Sequence, residues 1–174
     1  MFDEFYTSYY PSPLGVLKIT FSADGLKKIE YVKKRDVNAR ECNGIFFERK
    51  DVRDTYNLIY DQLNEYFTGN RGDFDLPLIL TGSDFQIKVW EKLLDIPYGE
   101  TRSYFQIAKA IDKPGASQAV GTANKNNPLP IVIPCHRVIG SDGSLTGYEG
   151  GLWRKRWLLE LENRYCKRKG VVLN

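Results

Sequence analysis

Polar and apolar positions alternate in LGVLKITFSADGLKKIEYVKK, with Leu17, Ile19 and Phe21 on one side of the chain and Lys18 and Thr20 on the other. A period of two is that of a half-buried strand. Asp24-Gly25 interrupts the run as a turn, and a second alternating run around Ile29 and Tyr31 follows, so the segment predicts a β-hairpin. From Val52 the period lengthens: Tyr56, Ile59, Leu63 and Tyr66 draw one stripe along a helix that ends near Gly69. Strands followed by a helix make a small α+β unit. The turn-rich RGDFDLP at 71–77 and the short run LPLIL then give way to helical patterning, which predicts two domains, 1–81 and 82–174.

The second half is marked by helix starts. Ser83 with Gln86, ahead of IKVWEKLL, carries the capping-box signature, and Ser103 with Gln106, ahead of IAKAI, repeats it. The second of these helices stops at Pro114-Gly115, and ASQAVGTANK predicts another at once. Two short helices across a tight turn resemble a helix-turn-helix, a pattern that more often serves packing alone. Ala116, Ala119, Gly121 and Ala123 would let the backbone of the later helix approach a surface closely. No internal repeat or low-complexity tract is present.

Composition narrows the class. The 174 residues are 42% hydrophobic and 27% charged, which suits a soluble globular protein of one large domain or two small ones. No stretch has the apolar length to span a bilayer, and MFDEFYTSYY is acidic where a signal peptide is basic. A cytosolic protein is expected, nuclear in a eukaryote. Net charge is only +3, with basic residues crowded in RKRW and RYCKRKG near the C-terminus, so charge alone leaves nucleic-acid binding open. Cys42, Cys135 and Cys166 are an odd number at wide spacing, which speaks against a disulfide framework or a structural zinc site.

The candidate chemistry lies in NPLPIVIPCHRVIG, residues 127–140. A cysteine in an apolar run is most often a small core residue. Against that, Pro134 ends any strand ladder just before Cys135, where exposure is expected, and His136 and Arg137, of types seldom buried, follow directly. Neighbouring positive charge lowers a thiol pKa and raises the thiolate fraction, so a nucleophilic Cys135 is the leading reading. On a strand, His136 would point away from Cys135, and a bridging water would have to carry the proton. The chain has no other histidine, which makes hydrolytic turnover less favoured than a thiolate used once.

IPCHRVIG, with NPLP before it and GYEGGLWRKRWLLELE after it, closely resembles the O6-alkylguanine-DNA alkyltransferases, the methylated-DNA–protein-cysteine methyltransferases. The resemblance covers the chain from about Phe85 onward. It implies an α+β protein: a small ribonuclease-H-like sheet-plus-helix domain, then a mainly helical domain whose helix-turn-helix holds duplex DNA through the minor groove. It further implies flipping of the damaged guanine, attack of Cys135 on the alkyl carbon, and a spent protein, since a thioether is not cleared by water. O6-alkylguanine is the implied lesion, with O4-alkylthymine left open.

By the same resemblance His136 is the water-mediated base, Glu162 orients and charges it, Tyr104 protonates the leaving guanine and Asn127 braces the active-site turn. Pro130 and Tyr148 would flank the alkyl group, the Glu149 N–H would meet the guanine oxygen, and Arg137 would anchor the loop beside the pocket. Gln118, Ala119, Thr122 and Lys125, with Ser103, would face DNA. No cofactor is implied, because DNA is itself the alkyl donor, and the zinc ligands of some relatives cannot be assembled around Cys42. A monomer is expected. Gln118 stands where the family usually has an arginine, and Glu149 where it has a small residue. The main rival reading is a recognition module that binds alkylated DNA without chemistry, against which Cys135 itself speaks; a sensor of alkylation and a thiol hydrolase rank below it.

Overall fold

The computed structural model describes residues 4–33, 37 and 47–168, without the side chains of 167 and 168. Cys42 and the end of the basic C-terminal run lie outside the described residues. The chain divides into two units, Met1–Leu80 and Thr81–Asn174.

In the first unit, β1 (Tyr6–Ser12), β2 (Gly15–Ser22) and β3 (Gly25–Val32) form an antiparallel meander in that order. The predicted hairpin is β2–β3, with Ser22 paired to Gly25 across the turn. Gly25 sits at φ 148, and a Cβ there would run into the Pro77 carbonyl. That close approach lets Leu26 N–H donate to Pro77 O and Ile79 N–H to Leu26 O, both at 2.9 Å, pinning the outgoing segment to the edge of β3. Leu17, Ile19 and Phe21 are buried from β2, and α1 (Lys50–Phe67) lies against that strand with Val52, Ile59, Leu63 and Tyr66 inward. The helix ends at Gly69, φ 75, one residue past its cap. This is the sheet-plus-helix unit expected.

The second unit is mainly helical, as expected. α2 (Asp84–Leu94) and α3 (Tyr104–Ala110) each begin in a completed capping box, Ser83 with Gln86 and Ser103 with Gln106. α4 (Ser117–Lys125) follows α3 after a turn through Asp112, φ 57, and packs on both α2 and α3. Trp90 of α2 fixes α4 by donating from Nε1 to Ala123 O at 2.9 Å in the interior. Two short parallel strands, β4 (Arg102–Ser103) and β5 (Val138–Ile139), bring the start of α3 beside the segment after His136. α5 (Leu152–Arg168) closes the unit and packs on the turn that precedes β5. No described helix is long and apolar enough to cross a membrane.

Candidate active site

Cys135 is not at the end of a strand. It opens a single 3-10 turn, Cys135–Arg137, entered from Pro134 at φ −80, ψ 60. The segment before it bends through Ile131 at φ 80, a left-handed conformation that a β-branched residue rarely adopts. Asn127 holds the bend: its Nδ2 donates to Ile133 O at 2.8 Å and its Oδ1 accepts from Leu129 N at 2.9 Å. From α4, Asn124 Nδ2 donates to Cys135 O at 3.2 Å.

Behind the turn lies a buried ionic cluster. His136 Nε2 is 2.7 Å from Glu162 Oε1 of α5, and both side chains are fully buried. The same carboxylate accepts from Arg137 Nε and Nη2 at 3.0 Å and, through Oε2, from Gly99 N–H at 2.9 Å. Arg137 Nη1 donates to Ile96 O at 2.6 Å. Every charged member therefore has a compensating partner, which is the condition for burying such groups. Burial pushes the Glu162 pKa up, but His136 and Arg137 more than reverse this and hold it down at about 2. Burial lowers the His136 pKa despite Glu162, so the imidazole is neutral near pH 7.

Two expectations are corrected here. Cys135 is 4% exposed, and His136 and Arg137 are buried rather than at the surface, because Glu162, far along the sequence, pairs with both. The thiol pKa is raised, not lowered: burial pushes it to about 11, against smaller opposing effects of Asn127 and Lys155. Arg137, expected to anchor the loop, directs its guanidinium to Glu162 and Ile96. Glu162, expected to orient His136, is fully enclosed.

The remaining residues fall around this core. Tyr104 is the first residue of α3; its hydroxyl donates to Thr146 O at 3.1 Å, and its ring lies against Gly121 of α4. Burial raises its pKa, with Cys135 among the groups it senses. Pro130 and Tyr148 are buried, whereas Glu149 is exposed on the loop 145–151, where Gly147 and Gly151 have φ of 57 and 90. Gln118, Ala119, Thr122 and Lys125 are exposed along one side of α4. The Ser103 hydroxyl is engaged in capping α3.

Lys155 is a site residue that the sequence reading missed. It is fully buried, and its Nζ donates to Val138 O at 2.5 Å and Thr146 O at 2.6 Å, tying the loop to β5. Inside RKRW it reads as solvated, yet its spacing of three from Leu158 and seven from Glu162 puts it on their inward face. Asn124 was missed for a plainer reason: nothing in its surroundings marks a buried amide. Among the described residues no group of His, Cys, Asp and Glu is arranged to hold a metal ion.

These features define a protein with a buried thiol, an imidazole–carboxylate pair behind it and an exposed helix of small and polar residues in the same unit. Residues 84–164 match the DNA binding domain of 6-O-methylguanine DNA methyltransferase, and residues 5–80 match the ribonuclease-like domain of that protein. A methylated-DNA–protein-cysteine methyltransferase of Methanosarcina barkeri is 45% identical over 160 residues, covering 90% of this chain and 96% of the relative. The Mycobacterium tuberculosis protein of the same name is 63% identical over 102 residues, 59% of this chain, and the match spans only 62% of that relative's length. The crystal structure of the Mycobacterium tuberculosis O6-methylguanine methyltransferase superposes with a TM-score of 0.78 at 42% identity, over 93% of this chain and 94% of the other. The Mycobacterium tuberculosis protein in complex with DNA gives 0.78 at 43% identity, over 91% and 93%. The chain belongs to the methylated-DNA–protein-cysteine methyltransferase family, transferases named for moving a methyl group from DNA to a protein cysteine.

Proposed function

We propose that this protein repairs DNA by transferring the alkyl group of O6-alkylguanine to Cys135 in one irreversible step. The observation that carries the reading is the turn that sets Cys135 directly before an imidazole held at 2.7 Å by a buried carboxylate. With a thiol pKa of about 11, roughly one molecule in ten thousand carries a thiolate at pH 7, so the proton must leave as the attack proceeds. Nε2 of His136 faces Glu162, which makes Nδ1 the acceptor, reached through a water. The lowered His136 pKa keeps that nitrogen available, and Glu162 stabilises the imidazolium that forms.

The guanine must be turned out of the duplex, because its alkyl carbon is out of reach inside the stack. The exposed row Gln118, Ala119, Thr122 and Lys125 offers α4 a close approach to the minor groove, with Ser103 setting the start of α3 beside it. The S–C bond forms as the C–O6 bond breaks, and Tyr104 supplies the proton that leaves guanine neutral. Pro130 and Tyr148 flank the alkyl group, and the Glu149 N–H meets the guanine oxygen. The thioether has no leaving group that water can displace, so one protein serves one lesion. The reading takes the protein to act as a monomer in the compartment that holds the DNA, the cytoplasm or a eukaryotic nucleus, without a cofactor.

Intact-protein mass, measured after mixing with a slight excess of duplex bearing one O6-methylguanine, tests this. One methyl group on Cys135, stopping at one equivalent and absent in Cys135→Ala, is the expected result. DNA binding without a mass change would replace the reading with a lesion-recognition module.

A further inference from the structure

The most exposed large apolar side chain among the described residues is Trp153, at 55%, with Leu152 beside it at 48%, where the 145–151 loop enters α5. An indole so open adds little to a core. The Arg154 guanidinium lies over it, 4.4 Å from the ring centre, and donates from Nη1 to Gly150 O at 2.6 Å. A Cβ on Gly151 would sit 3.5 Å from Trp153 Cδ1, so the indole edge also rests on the last residue of the loop. Exposed Arg156 is one helical turn further on, and every charge in LWRKRWL is positive.

The loop that this pair closes carries Tyr148 and Glu149, proposed to flank the alkyl group and to meet the guanine oxygen. Its other end is tied to α4: the Tyr104 hydroxyl donates to Thr146 O at 3.1 Å, and the Tyr104 ring lies against Gly121. Exposed residues therefore run from Gln118 and Thr122 on α4, across Gly147 and Glu149, to Trp153. We propose that Trp153 and Arg154 form a second DNA contact, across the loop from α4, that takes a nucleotide unstacked when the guanine turns out: the indole stacks on its base and the guanidinium meets its phosphate. The inference rests on the flipping step of the proposed function. Turning one base out strips its neighbours of a stacking partner, and an exposed indole replaces that partner whatever the sequence. Held by the ring and by Gly150 O, the planar guanidinium is oriented before DNA arrives, which lowers the cost of engaging a phosphate. Two apolar side chains among cations are too little surface for a stable protein partner and suit a single nucleotide.

The test measures binding in the full chain carrying Cys135→Ala, so that no alkyl transfer intervenes, with melting curves to confirm folding. Trp153→Ala should weaken binding to a duplex with one O6-methylguanine by about ten-fold or more, and binding to the undamaged duplex by less, because its bases stay stacked. Trp153→Phe, which still stacks, should restore most of the loss. Arg154→Met should flatten the dependence of log K on log salt by about one unit, and Arg154→Lys should keep it. The chain has three tryptophans, of which Trp90 is buried, so the emission quenched by the lesion duplex should be largely that of Trp153 and vanish in Trp153→Ala. Unchanged affinity in a folded Trp153→Ala, equal loss on both duplexes, or a quench that survives the substitution overturns the proposal. If Trp153→Ala does not fold, the salt slopes of the Arg154 variants decide, and an unchanged slope in Arg154→Met overturns it. Methyl transfer is measured separately with Cys135 intact. If none occurs while the lesion-specific loss in Trp153→Ala persists, the proposed function falls and this contact stands as part of a recognition module.

Discussion

The two units bury polar groups in different ways. In the first, the buried polar side chains are neutral, and three of them bond to backbone: Gln62 pairs with both the N–H and C=O of Asp75, Thr55 donates to Ala23 O at 3.0 Å, and Ser22 accepts from Asp24 N–H at 3.1 Å. Around them is an apolar and aromatic core, with Phe21 edge-on to Phe47 at 5.3 Å and Tyr10 edge-on to Tyr60 at 5.1 Å. In the second, the buried polar side chains are largely ionisable: His136, Arg137, Lys155 and Glu162, each at most 3% exposed. Buried neutral groups fix register at little cost, whereas buried charges add nothing to stability that well-packed apolar residues would not match. Their concentration beside Cys135 marks where chemistry, rather than stability, sets the sequence.

Removing Glu162 should break that contrast most severely. Glu162→Ala leaves Arg137 and His136 buried without their anion, and about 3–5 kcal/mol of stability should be lost. Urea unfolding gives that number, and methyl transfer by whatever protein remains folded should drop by about a hundred-fold or more. A loss under 1 kcal/mol would show that the carboxylate is dispensable and the cluster loosely held.

Tyr104→Phe separates chemistry from packing. The ring keeps its place between Gly121 and the 145–151 loop, and the hydroxyl is lost with its bond to Thr146 O. Methyl transfer should slow by about a hundred-fold, the usual worth of a positioned acid, with the melting temperature almost unchanged. Equal losses of rate and stability would reduce Tyr104 to a structural role.

Acid should act on one unit before the other. Glu162, at about 2 in the fold against 4.5 in the open chain, stabilises fully above pH 4.5 and loses this as pH falls toward 2. His136 has a folded pKa below its ordinary 6.5, so the unfolded chain takes the proton first and stability declines as pH drops below 6.5. Both shifts act in the same direction. In the first unit the carboxyl held low is Asp51, paired with Arg49 at the surface, where the contribution is small. Hydrogen exchange of the full chain at pH 7 and pH 3, corrected for intrinsic rates, should show protection falling in α5 and the 3-10 turn while β2 and α1 hold. Equal loss in both units would remove the distinction.

Much of this was written in local sequence. The β2–β3 alternation, the α1 stripe and both capping boxes depend on neighbours within a few positions, and the structure contains all four. β1 escaped because its inward residues, Ser8 and Tyr10, carry polar atoms and hide the period. The ionic cluster escaped for a different reason. The burial of His136 and Arg137 depends on Glu162, which reaches them only when α5 folds back across 25 residues, and that pairing reverses the exposure that adjacency alone suggested. The family resemblance supplied Glu162 where periodicity did not, and neither supplied Lys155.

The smallest effect expected concerns the exposed side of the second unit, where charge is sparse next to the crowded interior. Along α4 the outward row is Gln118, Ala119, Thr122 and Lys125, with one cation. A glutamine stacks and hydrogen-bonds but releases no counterion from DNA, whereas an arginine at the same exposed position does. Gln118→Arg should therefore tighten binding to an undamaged duplex several-fold at low salt, and steepen the dependence of log K on log salt by about one unit. Lys125→Ala should flatten it by a similar amount. Because Gln118 takes part in none of the hydrogen bonds described around Cys135, the rate of methyl transfer at saturating DNA should stay within about two-fold of wild type in Gln118→Arg. Unchanged affinity and salt slope in both variants would mean that α4 does not lie against the phosphates, and the assignment of this helix to the DNA would have to move to another exposed face.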